Sequence, residues 1–191
     1  MSLDRVVFPI SKYPALLRLL LAQDGSTTRT CEALAQEFVQ VAVHRQRQTQ
    51  EVPTAVRSLL GGERWLERVT SLCLGPTVLM DNLTFTRLDA VPGWFLQQLE
   101  IGQAPIGHLF QQLFVQRHPF PLDPALAQLL WAEVGTADDA ACRNYKVVMP
   151  QGPLMLICEA FRGGLVDIYE SNPCEKSAEL LSPRKFDGIE L

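Results

Sequence analysis

Two charged residues stand in segments that are otherwise apolar. Glu159 follows Leu154, Met155, Leu156, Ile157 and Cys158, and Ala160 and Phe161 come after it. Arg68 shares a period-2 face with Leu66, Thr70 and Leu72. A carboxylate inside a buried strand is costly unless it is paired, hydrogen-bonded or protonated. A guanidinium there needs an anionic partner, internal or bound. Asp81 and Glu159 are the internal candidates for Arg68, and the carboxylate of a small molecule is the external one. Taken alone, Glu159 is better read as pointing outward or as the partner of a core Arg or Tyr. Beside Arg68 it suggests a site for an organic acid. The planar fork of Arg68 would grip a carboxylate, and a desolvated Glu159, its pKa raised, would donate a proton.

Two further stretches offer backbone to such a ligand. Gly25-Ser26-Thr27-Thr28 presents N–H groups at a predicted helix start, a seat for a carboxylate, although a plain N-cap needs no ligand. Ile101 to Gly107 is a turn whose two glycines let the backbone come close to another group. His108 and His118 flank a turn and a proline, where surface or supporting roles suit them better than catalysis. No third ligand at metal spacing accompanies them, and there is no nucleophile, Walker or dinucleotide motif. No metal or cofactor is implied.

These residues must be carried by regular elements. The leucines at 16, 17, 19, 20 and 21 predict a helix that ends at Asp24-Gly25, and Ser26 to Thr28 cap a second one. Alternation from Val39 predicts a strand with one solvated face. Pro53 to Gly62 holds a helical turn. Trp65 to Leu74 and Thr77 to Leu88 form a hairpin about Gly75-Pro76. A helix follows from Trp94 to Glu100, then a short one from His108 to Gln112 and a strand over 113–117. Pro119 to Pro124 is a connector before a helix from Ala125 to Val134, and Gly135 to Asp139 is a loop. Asn144 to Met149 and Leu154 to Phe161 make the last hairpin. Hairpins and helices in separate blocks, without β-α-β alternation, predict an α+β fold on an antiparallel sheet.

The totals narrow the function classes. A chain of 191 residues with 47% hydrophobic and 20% charged residues fits one globular domain over 1–170, with a polar tail over 171–191. A net charge of −4 provides no basic face for nucleic acid. The cluster at His44 to Arg47 reads as the solvated side of a strand. Five cysteines without a Cys-x-x-Cys pair suggest reduced thiols. No leader or membrane-spanning stretch is predicted, so the expectation is a cytoplasmic monomer that does not insert into membranes.

Four stretches in series resemble the chorismate lyase family, also known as chorismate pyruvate-lyase or 4-hydroxybenzoate synthase. They are Asp24-Gly25-Ser26-Thr27-Thr28-Arg29, Trp65-Leu66-Glu67-Arg68-Val69, Ala104-Pro105-Ile106-Gly107-His108-Leu109-Phe110, and Gly152-Pro153-Leu154-Met155-Leu156-Ile157-Cys158-Glu159. They fall within residues 13–169 in the family's order. The resemblance implies a six-stranded antiparallel sheet with helices on one side and two helical flaps over an internal site. It places the family's carboxylate-binding arginine on Arg68 and its ring-hydroxyl contact on Glu159. The flap contacts fall on Ser26 and Ile106, with Thr27 and Gly107 beside them. The activity so implied is a carbon–oxygen lyase that eliminates pyruvate from chorismate to give 4-hydroxybenzoate for quinone biosynthesis. Arg68 and Glu159 would be the catalytic residues, without a cofactor, because aromatisation drives the reaction.

A second expectation belongs to another class. Effector-binding domains of certain transcription regulators resemble the same fold and bind small molecules in a similar place. Those usually follow a helix-turn-helix domain, for which the residues before 13 leave no room. The alternative function is therefore a non-catalytic sensor or binding protein for an aromatic carboxylate.

Overall fold

Six antiparallel strands form one sheet in the order β1-β2-β3-β6-β5-β4. They are β1 (Gln40–Thr49), β2 (Trp65–Leu74), β3 (Thr77–Arg87), β4 (Gln116–Phe120), β5 (Ala141–Met149) and β6 (Gly152–Phe161). The helices are α1 (Ala15–Ala22), α2 (Thr27–Ala35), α3 (Thr54–Leu60), α4 (Gly93–Ile101), α5 (Ile106–Leu109), α6 (Pro124–Val134) and α7 (Gly163–Ser171). The computed structural model describes residues 13–102, 104–121, 123–135 and 141–171. The predicted tail beyond Ser171, most of the predicted 135–139 loop, and residues 1–12 lie outside the described residues. The α+β class on an antiparallel sheet is as the sequence predicts, and its six strands are as the resemblance implies.

Register decides what each face carries, because directly paired residues point to the same side. One cross-strand row runs Arg68, Thr84, Ile157, Tyr145, and the next runs Thr70, Asn82, Glu159, Arg143. On either side of these two rows the same face is apolar across the inner strands except for Thr86, with Gln48 and Arg117 on the edge strands. Leu72, Met80, Phe161 and Ala141 pack under α1, α2 and α7 through Leu16, Leu17, Leu20, Cys31 and Leu165. Leu66, Met155 and Val147 pack under α4 and α5 through Phe95, Leu99 and Leu109. The two polar rows thus sit between two apolar clusters.

The opposite face is apolar through Val69, Leu83, Phe85, Leu156 and Cys158, and α3 and α6 cover it with Val56, Leu60, Leu126 and Leu130. The helices expected on one side roof the polar rows, and these two add a layer beneath. Several elements differ from the sequence reading, the start of β5 at Ala141 and not Asn144 among them. β4 starts at Gln116, not Leu113, and contains Pro119; an edge strand tolerates a proline whose missing N–H faces solvent. α5 begins at Ile106 and passes into a 3-10 turn at Phe110–Gln112. α7 has no counterpart in the reading, since its paired glycines, Gly163 and Gly164, give a weak start signal.

Candidate functional site

The six residues singled out from the sequence line one cavity. Ser26 and Thr27 enter from the start of α2, Ile106 and Gly107 from α5, and Arg68 and Glu159 from the sheet floor. Thr70, Asn82, Thr84, Phe110, Arg117 and Tyr145 also line it, and the empty space amounts to about 480 Å³ including its open side. The roof is closed by direct packing of α2 on α5. A β-carbon on Gly107 would lie 2.6 Å from Ser26 Oγ and 2.7 Å from Thr28 Oγ1. His108 on α5 meets Glu32 on α2 at 2.8 Å, and Arg29 Nη2 donates to Gln111 Oε1 at 2.9 Å. Ser26 is the N-cap of α2, its Oγ accepting from the N–H of Arg29 at 3.4 Å.

Arg68 is 2% exposed, and no carboxylate pairs with it among the described residues. Its Nη2 donates to the carbonyl of Gly102 at 2.8 Å, while Nε is buried without a partner. Gly102 caps α4 with φ +79°, a left-handed conformation suited to glycine, so its carbonyl can turn toward the guanidinium. Burial alone lowers the Arg68 pKa to about 10. The two internal partners considered for Arg68 are engaged elsewhere. Asp81 lies on the opposite face of the sheet, held by Ser71 and Arg162. Glu159 belongs to Arg143.

Around Glu159 the structure places polar donors where the sequence reading expected apolar side chains. Arg143 Nε donates to Oε2 at 2.6 Å, Thr27 Oγ1 to the same oxygen at 3.1 Å, and Tyr145 Oη to Oε1 at 2.7 Å. Three donors thus converge on the two oxygens of one carboxyl. Arg143 also binds the carbonyls of Leu20 and Gln23 at 2.7 and 2.6 Å and Thr27 Oγ1 at 2.5 Å. It thereby ties the end of α1 and the start of α2 to the sheet. Burial, and next the Glu159 charge, push the Tyr145 phenol well above its ordinary pKa, so the ring hydroxyl remains a donor. The partner of Glu159 is thus a core Arg and a core Tyr, the reading that suited the residue taken alone.

Arg143, Tyr145 and Arg117 went unnoticed in the sequence. Predicted to begin at Asn144, the fifth strand excluded Arg143 and hid the alternation of 143, 145 and 147 opposite Glu159. That period-2 pattern was the available signal. His44, Ser71 and Asp81 form a further polar chain, His44 Nε2 lying 2.7 Å from Ser71 Oγ. The hydroxyl stands between base and carboxylate and is 3% exposed, so the order needed for a nucleophilic triad is absent. Arg45 and Arg47, read as a solvated face, both pair with buried Glu67, at 2.7 and 2.8 Å.

The sequence matches no protein-family model and no curated protein. Solved structures do match. The effector domain of PhnF from Mycobacterium smegmatis is 14% identical with a TM-score of 0.50, covering 73% of this chain and 89% of that one. The ligand-binding domain of a GntR-family transcriptional regulator from Bordetella bronchiseptica is 13% identical with a TM-score of 0.42, covering 65% and 86%. The C-terminal domain of the histidine utilization repressor from Pseudomonas syringae is 13% identical with a TM-score of 0.45, covering 65% and 92%. The first of these likenesses carries the fold, which is chorismate lyase-like. The carbon–oxygen lyase activity expected from the resemblance, and with it the role in quinone biosynthesis, is corrected on the first of these, whose match is an effector domain. No helix among the described residues is long and apolar enough to cross a membrane.

Proposed function

We propose that this chain is a non-catalytic binding domain for a small aromatic carboxylate, the ligand's carboxylate resting on Arg68. The observation that carries the reading is a guanidinium buried in a cavity with Nε unpartnered and, among the described residues, no carboxylate paired with it. A desolvated cation of this kind is costly in the empty protein and is relieved by a bound anion. Val41, Leu72, Ile106, Phe110 and Ile157 supply apolar walls for a ring. At the far end Glu159 is held as an acceptor, suited to a hydroxyl or amine donor on the ring. Ser26, Thr27 and Gly107 would close over the bound molecule from the two flaps. The neighbours described as effector or ligand-binding domains support this class of function over catalysis.

Calorimetric titration with 4-hydroxybenzoate tests the reading. One molecule is expected to bind per chain, and Arg68→Met is expected to lose the heat of binding. Absence of binding to the wild-type chain at millimolar ligand would sink the proposal. Incubation with chorismate is expected to release pyruvate no faster than the spontaneous reaction; a rate above it would contradict the non-catalytic reading.

A further inference from the structure

Arg117 sits on edge strand β4, yet its side chain turns inward over two rings of the site. The guanidinium carbon lies 5.8 Å from the Tyr145 ring centroid and 5.5 Å from that of Phe110. Its Nη1 donates to the Asp24 carbonyl at 3.1 Å, while Nε is buried and meets no acceptor. No carboxylate pairs with Arg117 among the described residues. The cavity is therefore lined by two cations, Arg68 and Arg117, each with an unpartnered Nε, and by one carboxylate, Glu159. Arg143, outside the lining, takes the charge of that carboxylate.

Position adds to this. On the outer side of Ser26, Gly107 and Phe110 lies a second recess, lined by Gln23, Arg29, Thr30 and Gln111, and Arg117 lines both it and the inner cavity. A cation at the junction, stacked on two aromatic faces, holds its fork in a fixed plane. The side chain is half-buried with Nε shut off from water, so a neutral substituent there would leave that donor unmatched, whereas an acidic one would receive a charge-assisted bond. Resting on the assignment of Arg68 to a ligand carboxylate, we infer that Arg117 receives a second acidic group, so that the ligand is an aromatic acid with two anionic substituents. Its ring lies in the inner cavity and its second acid at the mouth. Arg117 is then the residue that separates diacids from monoacids.

Calorimetry of the full chain with benzoate, phthalate, isophthalate and terephthalate tests the inference, the three isomers placing the second carboxylate at different angles. At least one diacid is expected to bind about tenfold or more tightly than benzoate, the gain of one charge-assisted contact at a half-buried cation. In Arg117→Met the diacid-to-benzoate ratio is expected to fall toward one, and in Arg117→Lys to recover in part. For the wild-type chain, affinity for the preferred diacid is expected to fall more steeply with salt than affinity for benzoate. A diacid preference that persists in Arg117→Met would overturn the assignment and leave Arg117 as a tie to Asp24. Binding of benzoate without any diacid preference would overturn this inference alone. Failure of all four acids to bind would overturn the Arg68 reading as well.

Discussion

Glu159 can be buried because Arg143 is buried with it. The pair is 5% and 7% exposed, and Tyr145 and Thr27 supply the remaining donors. Removal of one partner from such a pair typically costs about 3–5 kcal/mol, since the other charge is left desolvated. Arg143→Met is therefore expected to lower the urea midpoint by an amount equivalent to that range. Adding Glu159→Gln is expected to restore part of it, because the stranded charge is gone. A loss below about 1 kcal/mol in the single variant would mean that water reaches Glu159 and that the network is not buried as described. Cys31 gives a second check at this scale. Burial, then the nearby Glu159 and Glu32 charges, push its thiol up to about 12, and burial raises Cys158 as well. Both are expected to resist alkylation at pH 8 in the folded chain and to react once it is denatured; rapid labelling of either in the native state would contradict their burial.

At the scale of elements the site depends on α5 lying against the first turn of α2. Gly107 makes that approach feasible, because any larger residue puts an atom inside contact distance of Ser26 and Thr28. Gly107→Ala is expected to lift α5, cost about 1–3 kcal/mol as an overpacked contact and weaken carboxylate binding. Unchanged affinity and stability would show that the flaps have room to spare. How far this was legible follows from the kind of signal each residue gives. Arg68 and Glu159 could be read because a charge in an apolar strand is conspicuous at one position. Ser26 and Gly107 could be placed by helix-start chemistry, but their contact joins segments 81 residues apart and has no local signature. Arg68's independence from Asp81 and Glu159 could not be read either. It depends on which face each strand presents, and strand order brings β6 between β3 and β5. Arg117 was hidden for a related reason. On an exposed edge strand an arginine reads as solvated, and only the neighbouring Tyr145 and Phe110 draw it inward.

Over the whole molecule the sheet carries a polar cavity on one face and a purely structural layer on the other. Alkaline pH probes the sum of its buried donors. The unfolded chain releases thiol protons above about pH 9 and the Tyr145 proton above about pH 10, while the folded chain keeps them. Stability is thus expected to fall as pH rises through this window, the folded state binding more protons than the unfolded. Arg68 runs the other way, since its lowered pKa means that the folded chain gives up its proton first, from about pH 10 upward. At neutral pH that lowering amounts to a destabilisation of about 3 kcal/mol carried by the empty protein. The most direct test is therefore thermal denaturation of the wild-type chain and Arg68→Met, each with and without millimolar 4-hydroxybenzoate. Without ligand the Met variant is expected to melt higher, since an unpaired buried charge is replaced by an apolar side chain of similar length. With ligand the wild-type chain is expected to gain stability, by about 2.7 kcal/mol at a hundredfold excess over Kd, and the variant to gain none. A variant that melts lower than wild type and still responds to ligand would contradict the account, because Arg68 would then be a stabilising core residue and not the seat of an anion.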